Sequence, residues 1–109
     1  ATIAEGVQVM PNSVIQTGAS IGENSIINTA AVIEHDCEIG CHNHIAPGVT
    51  LSGNVRTEEQ VHIGTGANVI QGIYIAKNTV VGAGTVISKN VPSDSIVYPA
   101  KSSVKGKSI

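Results

Sequence analysis

The sequence contains no tryptophan and no phenylalanine, and apart from its histidines the only aromatic rings are those of Tyr74 and Tyr98. A compact globule ordinarily fills its centre with large side chains. Small and β-branched residues dominate here, and they suit a narrow core laid down in repeated layers. Charge is equally sparse. The formal net charge is −2 with only six Lys and Arg, so there is no basic footprint and nucleic acid is not the expected partner. No apolar run approaches bilayer-spanning length, so a membrane is not expected either. Two cysteines, Cys37 and Cys41, are too few for a disulfide framework. They read as unpaired thiols of a cytoplasmic protein.

What the chain does have is a period of six. Stepping from Ile3 gives Val9, Ile15, Ile21, Ile27, Ile33, Ile39, Ile45, Leu51, Thr57, Ile63, Val69, Ile75, Val81 and Ile87, and Thr57 alone is not aliphatic. Four residues after each stands a small or branched residue, such as Ala19, Ser25, Cys37, Asn43 or Val49. Gly22, Gly40, Gly64 and Gly82 directly follow their aliphatic partners. Six fits neither a helix nor a plain alternating strand. It fits a short strand plus a corner, three per coil, with Gly and Asn supplying corner conformations. The fold class is therefore all-β: a left-handed parallel β-helix, a hexapeptide-repeat solenoid of about five coils over residues 1–92, followed by a short C-terminal cap and tail over 93–109. Around Thr57-Glu58-Glu59-Gln60, where polar residues replace an aliphatic-Gly pair, one strand is expected to be irregular. The chain opens on Ala1 with the repeat in phase by Ile3, which reads as a piece of something longer.

Residues eighteen apart stack, so outward positions form columns. Gln8, Ile26, His44, His62 and Val80 make one, and Val14, Val32, Thr50, Asn68 and Val86 another, with Pro11, Thr29, Pro47, Thr65 and Ala83 between them. Read as one flat face, they are unusually apolar and imply a homo-oligomeric contact of cyclic symmetry. The next column, Thr17, His35, Gly53, Gln71 and Lys89, puts His35 beside a bare glycine backbone.

His35-Asp36 is the sharpest chemical pair. Histidine titrates near neutrality and serves as a general base, and an adjacent carboxylate orients the ring. The Gly53 N–H supplies a candidate oxyanion donor. His44 and His62 stack one coil apart, and with His42 they offer three imidazoles of the kind zinc accepts. Cys37 falls at the small inward position and reads as packing. Cys41 points outward without a base to activate it. The glycines of Ile63-Gly64-Thr65-Gly66 and Gly82-Ala83-Gly84 belong to the repeat, since no helix follows to complete a phosphate loop.

The repeat array, with Ile27-Asn28-Thr29, Val32-Ile33-Glu34-His35-Asp36-Cys37, His44-Ile45-Ala46-Pro47-Gly48 and Leu51-Ser52-Gly53, resembles the sugar O- and N-acetyltransferases of the sialic-acid O-acetyltransferase type, over essentially the whole chain. The resemblance implies a homotrimer with active sites between subunits and acetyl-CoA lying along the groove between neighbouring β-helices. It matches His35 to the general base and Asp36 to the acidic residue that raises its basicity. It matches His44 to a histidine near the thioester contributed by the neighbouring subunit, Gly53 to the contact with the thioester carbonyl, and Thr65 and Ala83 to main-chain contacts with the pantetheine arm. Two departures stand out. The N-terminal sugar-binding domain usual in such enzymes is absent from this chain, and their Gly-Asn-Pro-Ala-Lys appears as Val97-Tyr98-Pro99-Ala100-Lys101.

The expected activity is acetyl transfer from acetyl-CoA to an amine or hydroxyl of a nucleotide-linked amino sugar or a sialic acid, in the cytoplasm, with no metal. Two other readings compete. One is a zinc-dependent hydrolyase like the γ-type carbonic anhydrases, which needs three histidines converging across an interface. The other is a non-catalytic trimeric scaffold.

Overall fold

The computed structural model describes residues 1–107. These form sixteen strands of two residues each and no helix. The strands stack as three parallel sheets, the sides of a prism. The first side holds Thr2–Ile3, Ser20–Ile21, Glu38–Ile39, Arg56–Thr57 and Tyr74–Ile75. The second holds Gln8–Val9, Ile26–Ile27, His44–Ile45, His62–Ile63, Val80–Val81 and Ile96–Val97. The third holds Val14–Ile15, Val32–Ile33, Thr50–Leu51, Asn68–Val69 and Val86–Ile87. The chain visits the sides in rotation, and paired residues such as Ile27↔Ile45 and Ile33↔Leu51 are eighteen apart. This is the left-handed parallel β-helix of about five coils that the period of six predicts.

The corners explain the period. Every sixth residue from Gly6 to Gly84 has a positive φ. Glycine takes this left-handed conformation freely, and Asn and Asp tolerate it better than other residues. Ala30, His42 and Gln60 adopt it as well, at a cost of about 1–2 kcal/mol each. Between corners, the second residue of each strand points inward. Ile27, Ile33, Ile45, Leu51, Ile63 and Ile75 are completely buried, and each contributes roughly 2–3 kcal/mol of transfer free energy. Ile3 and Val9, at the open end of the stack, remain about half exposed.

Thr57 turns out to be part of a strand. Arg56–Thr57 pairs in register with Tyr74–Ile75, although only Arg56↔Glu38 joins it to the preceding coil. The irregularity expected there is confined to one side of the strand. Toward the preceding coil a ladder bond is replaced by one to the Thr57 side chain. The strand holds because the core offers Thr57 a polar partner. Its hydroxyl donates to Asn43 Oδ1 at 2.5 Å and accepts from Gly40 N–H at 3.2 Å. Asn43 Nδ2 donates to the carbonyls of Cys41 and Glu58 at 3.0 and 2.8 Å, and Asn43 N–H donates to Ser25 Oγ. Every member of this buried network is satisfied. Asn43→Ala removes three of its bonds at once and strands the Glu58 carbonyl and the Thr57 hydroxyl proton, while Cys41 O keeps its bond from Gln60 N–H. We expect it to destabilise the fold by about 2–4 kcal/mol, measured by denaturant unfolding. A loss under about 1 kcal/mol would show that the network contributes little.

The repeat does not stop at residue 92. Val91 bridges to Ile75, and Ile96–Val97 pair with Val80–Val81, so these partners are sixteen apart rather than eighteen. The final turn is two residues short, which loses the six-residue phase without losing the ladder. Beyond Val97, residues 98–107 are exposed and outside any strand.

One expectation needs correcting. The two apolar columns do not share a flat face. With six residues per side, columns six apart fall on neighbouring sides, so Ile26 and Val80 lie on the second and Val14, Val32 and Val86 on the third. Pro11, Thr29, Pro47, Thr65 and Ala83 run along the edge between them. The first side differs in character. Arg56 pairs with Glu38 at 2.5 Å and lies over the Tyr74 ring, and the Tyr74 hydroxyl donates to Glu58.

Candidate active site

His35 and Asp36 occupy the corner between the third and first sides. Asp36 is the left-handed residue of that corner, at φ 59°. This conformation turns its carboxylate back on the preceding residue, and His35 Nδ1 lies 3.1 Å from Asp36 Oδ2. A carboxylate only accepts, so Nδ1 carries the proton and Nε2 is left free as a base. Both side chains are more than half exposed, at 51% and 59%. An ion pair this wet adds little to stability; what it fixes is the orientation and tautomer of the ring.

Glycines in the adjacent coils make room for the pair. A Cβ on Gly53 would stand 2.4 Å from His35 Nε2 and 2.6 Å from Cε1. The free nitrogen of His35 therefore lies directly against the Gly53 backbone. Gly53 N–H is not used in the backbone ladder, whereas its carbonyl accepts from Gly72 at 3.0 Å. On the other side, a Cβ on Gly18 would meet Asp36 Oδ1 at 2.0 Å. Gly18 was not among the residues expected from sequence, although its spacing of eighteen from Asp36 carried the signal.

His44 lies on the second side, with the whole third side between it and His35. The two cannot meet within one protomer. His62 stacks on His44 as the column predicts, ring centroids 4.7 Å apart and planes at 86°. Asn28 Nδ2 lies 3.1 Å from His44 Nε2. Burial, and then the neighbouring His62, hold the pKa of His44 below the ordinary histidine value. Thr65 and Ala83 are exposed on the edge between the second and third sides. Gly64 lets the backbone there close up, since a Cβ on it would lie 2.6 Å from Ala83 N.

His42 sits apart from these two, at a corner with φ 55°. Among the described residues no three His, Cys, Asp or Glu side chains converge on a common point. Cys37 is buried, with its thiol donating to Ser52 O at 3.2 Å. Burial pushes that thiol up, away from the thiolate a nucleophile needs.

A three-sided coil of six-residue turns, bearing a histidine–carboxylate corner against bare glycine backbone, defines a hexapeptide-repeat β-helix with a candidate site. The model of the bacterial transferase hexapeptide (six repeats) matches residues 1–33 and 18–53, and the chain belongs to this hexapeptide-repeat transferase family. GDP-perosamine N-acetyltransferase of Escherichia coli is 34% identical over 82 residues, covering 75% of this chain and 37% of that protein. Among solved structures, the acetyltransferase domain of PglB from Neisseria gonorrhoeae, in complex with acetyl coenzyme A, superposes with a TM-score of 0.85 at 39% identity, covering 92% of this chain and 50% of that one. A mutant perosamine N-acetyltransferase of Caulobacter crescentus, in complex with CoA and GDP-perosamine, gives 0.80 at 30% identity, covering 97% of this chain and 53% of that one. The chain spans about a third to a half of the length of such curated relatives, from 32% to 47% among the first of them. No helix among the described residues is long and apolar enough to cross a membrane.

Proposed function

We propose that this chain is an acetyltransferase domain that moves the acetyl group of acetyl-CoA to an amine or hydroxyl of a nucleotide-linked amino sugar or sialic acid. The observation that carries the reading is the His35 ring, held by Asp36 at Nδ1 with its free Nε2 against Gly53. The relatives support it, since those in complex with acetyl coenzyme A or with CoA and GDP-perosamine share the coil.

In this reading His35 Nε2 takes the proton of the acceptor amine or hydroxyl as that group attacks the thioester carbonyl. The Gly53 N–H steadies the oxyanion of the tetrahedral intermediate. As the carbon–sulfur bond breaks, the imidazolium returns its proton to the departing sulfur, giving acetylated sugar and free CoA thiol. No acyl-enzyme is needed. Asp36 steadies the charged ring throughout.

The working unit is a homotrimer in the cytoplasm. The apolar second and third sides of neighbouring coils face one another, and His44 of one subunit is brought to His35 of the next. Thr65 and Ala83, on the edge between those sides, meet the pantetheine arm through their backbone. The charged first side stays in solvent.

Titration with acetyl-CoA tests the reading. Ligand at one hundred times its dissociation constant should stabilise the fold by about 2.7 kcal/mol in thermal unfolding. The absence of any shift at millimolar acetyl-CoA would favour a scaffold without chemistry.

A further inference from the structure

We propose that Asn28 and His62 are positioning residues for His44, Asn28 holding its ring proton on Nδ1 and His62 fixing its ring plane, so that His44 meets its ligand as an uncharged hydrogen-bond donor. The proposal rests on the reading above only in naming acetyl-CoA as that ligand.

The proton's place follows from one backbone bond. Asn28 Oδ1 accepts from Thr29 N–H at 2.7 Å, and from the Thr29 hydroxyl at 3.3 Å. A backbone N–H can only donate, so the amide atom facing it must be the oxygen, and the orientation of the Asn28 amide is settled. Its Nδ2, a donor with no lone pair to offer, therefore faces His44 Nε2 at 3.1 Å. That nitrogen must accept, which leaves the single proton of the neutral ring on Nδ1.

Asn28 is itself firmly held. Its N–H donates to Ile45 O at 2.8 Å, and its carbonyl accepts from Ser13 Oγ at 2.7 Å. The His62 ring meets His44 edge to face from the next strand, an arrangement that aromatic pairs favour at this distance. On the opposite strand Ile26 stands in register with His44. His62 is thus the one titratable group acting on His44 among the described residues. Protonating Nε2 would set two donors against each other at Asn28 and a cation against His62. Geometry and burial act in the same direction.

The test is nitrogen–proton NMR of the histidine ring nitrogens in the full chain without ligand, together with calorimetry of acetyl-CoA binding. In the unsubstituted protein, His44 should show a protonated Nδ1 and a bare Nε2, and should titrate below ordinary histidine. Asn28→Asp replaces the donor with an acceptor, so the proton should move to Nε2 and acetyl-CoA affinity should fall about 10-fold, the loss of one hydrogen bond. Asn28→Ala, which adds no charge, should give mixed tautomers in a folded protein. His62→Ala, which removes the neighbouring ring and opens the site to water, should raise the His44 titration midpoint. An Nε2–H or mixed form in the unsubstituted protein, a neutral Nδ1–H form persisting in Asn28→Asp, or an unmoved midpoint in His62→Ala overturns the assignment. If the unsubstituted protein binds no acetyl-CoA, the proposed function fails, while the NMR still decides the tautomer.

Discussion

His35→Ala is expected to lower acetyl transfer from acetyl-CoA at least ~100-fold, the scale of a lost general base, while leaving the coil folded. The second half follows from where the residue sits. His35 is exposed and stands at a corner, and its one polar side-chain partner is Asp36. Surface changes of this kind usually alter stability by no more than about 0.5 kcal/mol. The measurement is steady-state turnover with a panel of amino-sugar acceptors, paired with thermal unfolding. Turnover like that of the unsubstituted protein would remove His35 from the mechanism. Asp36 needs a different substitution. It occupies a left-handed corner at φ 59°, so alanine would add backbone strain to the lost charge. Asparagine keeps the conformation and isolates the carboxylate.

Gly53→Ala is expected to be nearly as damaging, although it replaces no titratable group. The φ of Gly53 lies outside the left-handed region, so its backbone accepts alanine. Its new methyl, however, would fall 2.4 Å from His35 Nε2 and 3.1 Å from Cδ2, closer than real contacts allow. The ring must swing away, giving up its 3.1 Å contact with Asp36. Misplacement by an ångström can cost ~100-fold in rate, and that is the loss we expect in turnover, with melting unchanged by more than a few degrees. A Gly53→Ala protein with full activity would show that the ring does its work from some other position.

Much of this was legible in the sequence because the fold has a strict period. Two-residue strands and left-handed corners recur on a count of six, so the inward column from Ile21 to Ile87 could be read without any pairwise contact. His35, Gly53, His44 and His62 were placed against their true neighbours by counting eighteen. Column reading failed where a contact departs from eighteen. Asn43 reaches Thr57 fourteen residues away and Asn28 reaches His44 sixteen away, so each contact crosses from one column to another. The merging of two sides into one face was a failure of another kind, because a period says how often the chain turns but not by what angle. The last turn escaped notice because two missing residues shift the phase while Val91 and Val97 still find Ile75 and Val81.

The left-handed residue at every sixth position has a consequence for how such a chain can change over time. Point substitutions are absorbed one at a time, because each corner and each inward site asks only for a broad residue type. Length is another matter. One residue gained or lost inside a strand between Gly18 and Gly53 would turn the following side chains of that coil away from their neighbours and dismantle the surroundings of His35, although no functional residue had been replaced. The chain behaves like a ratchet with six teeth, open to drift in spelling and closed to any change of length that does not bring the next strand back into phase. It relaxes that rule only after Ile87, where a turn two residues short is followed by a single strand and little remains to be thrown out of step.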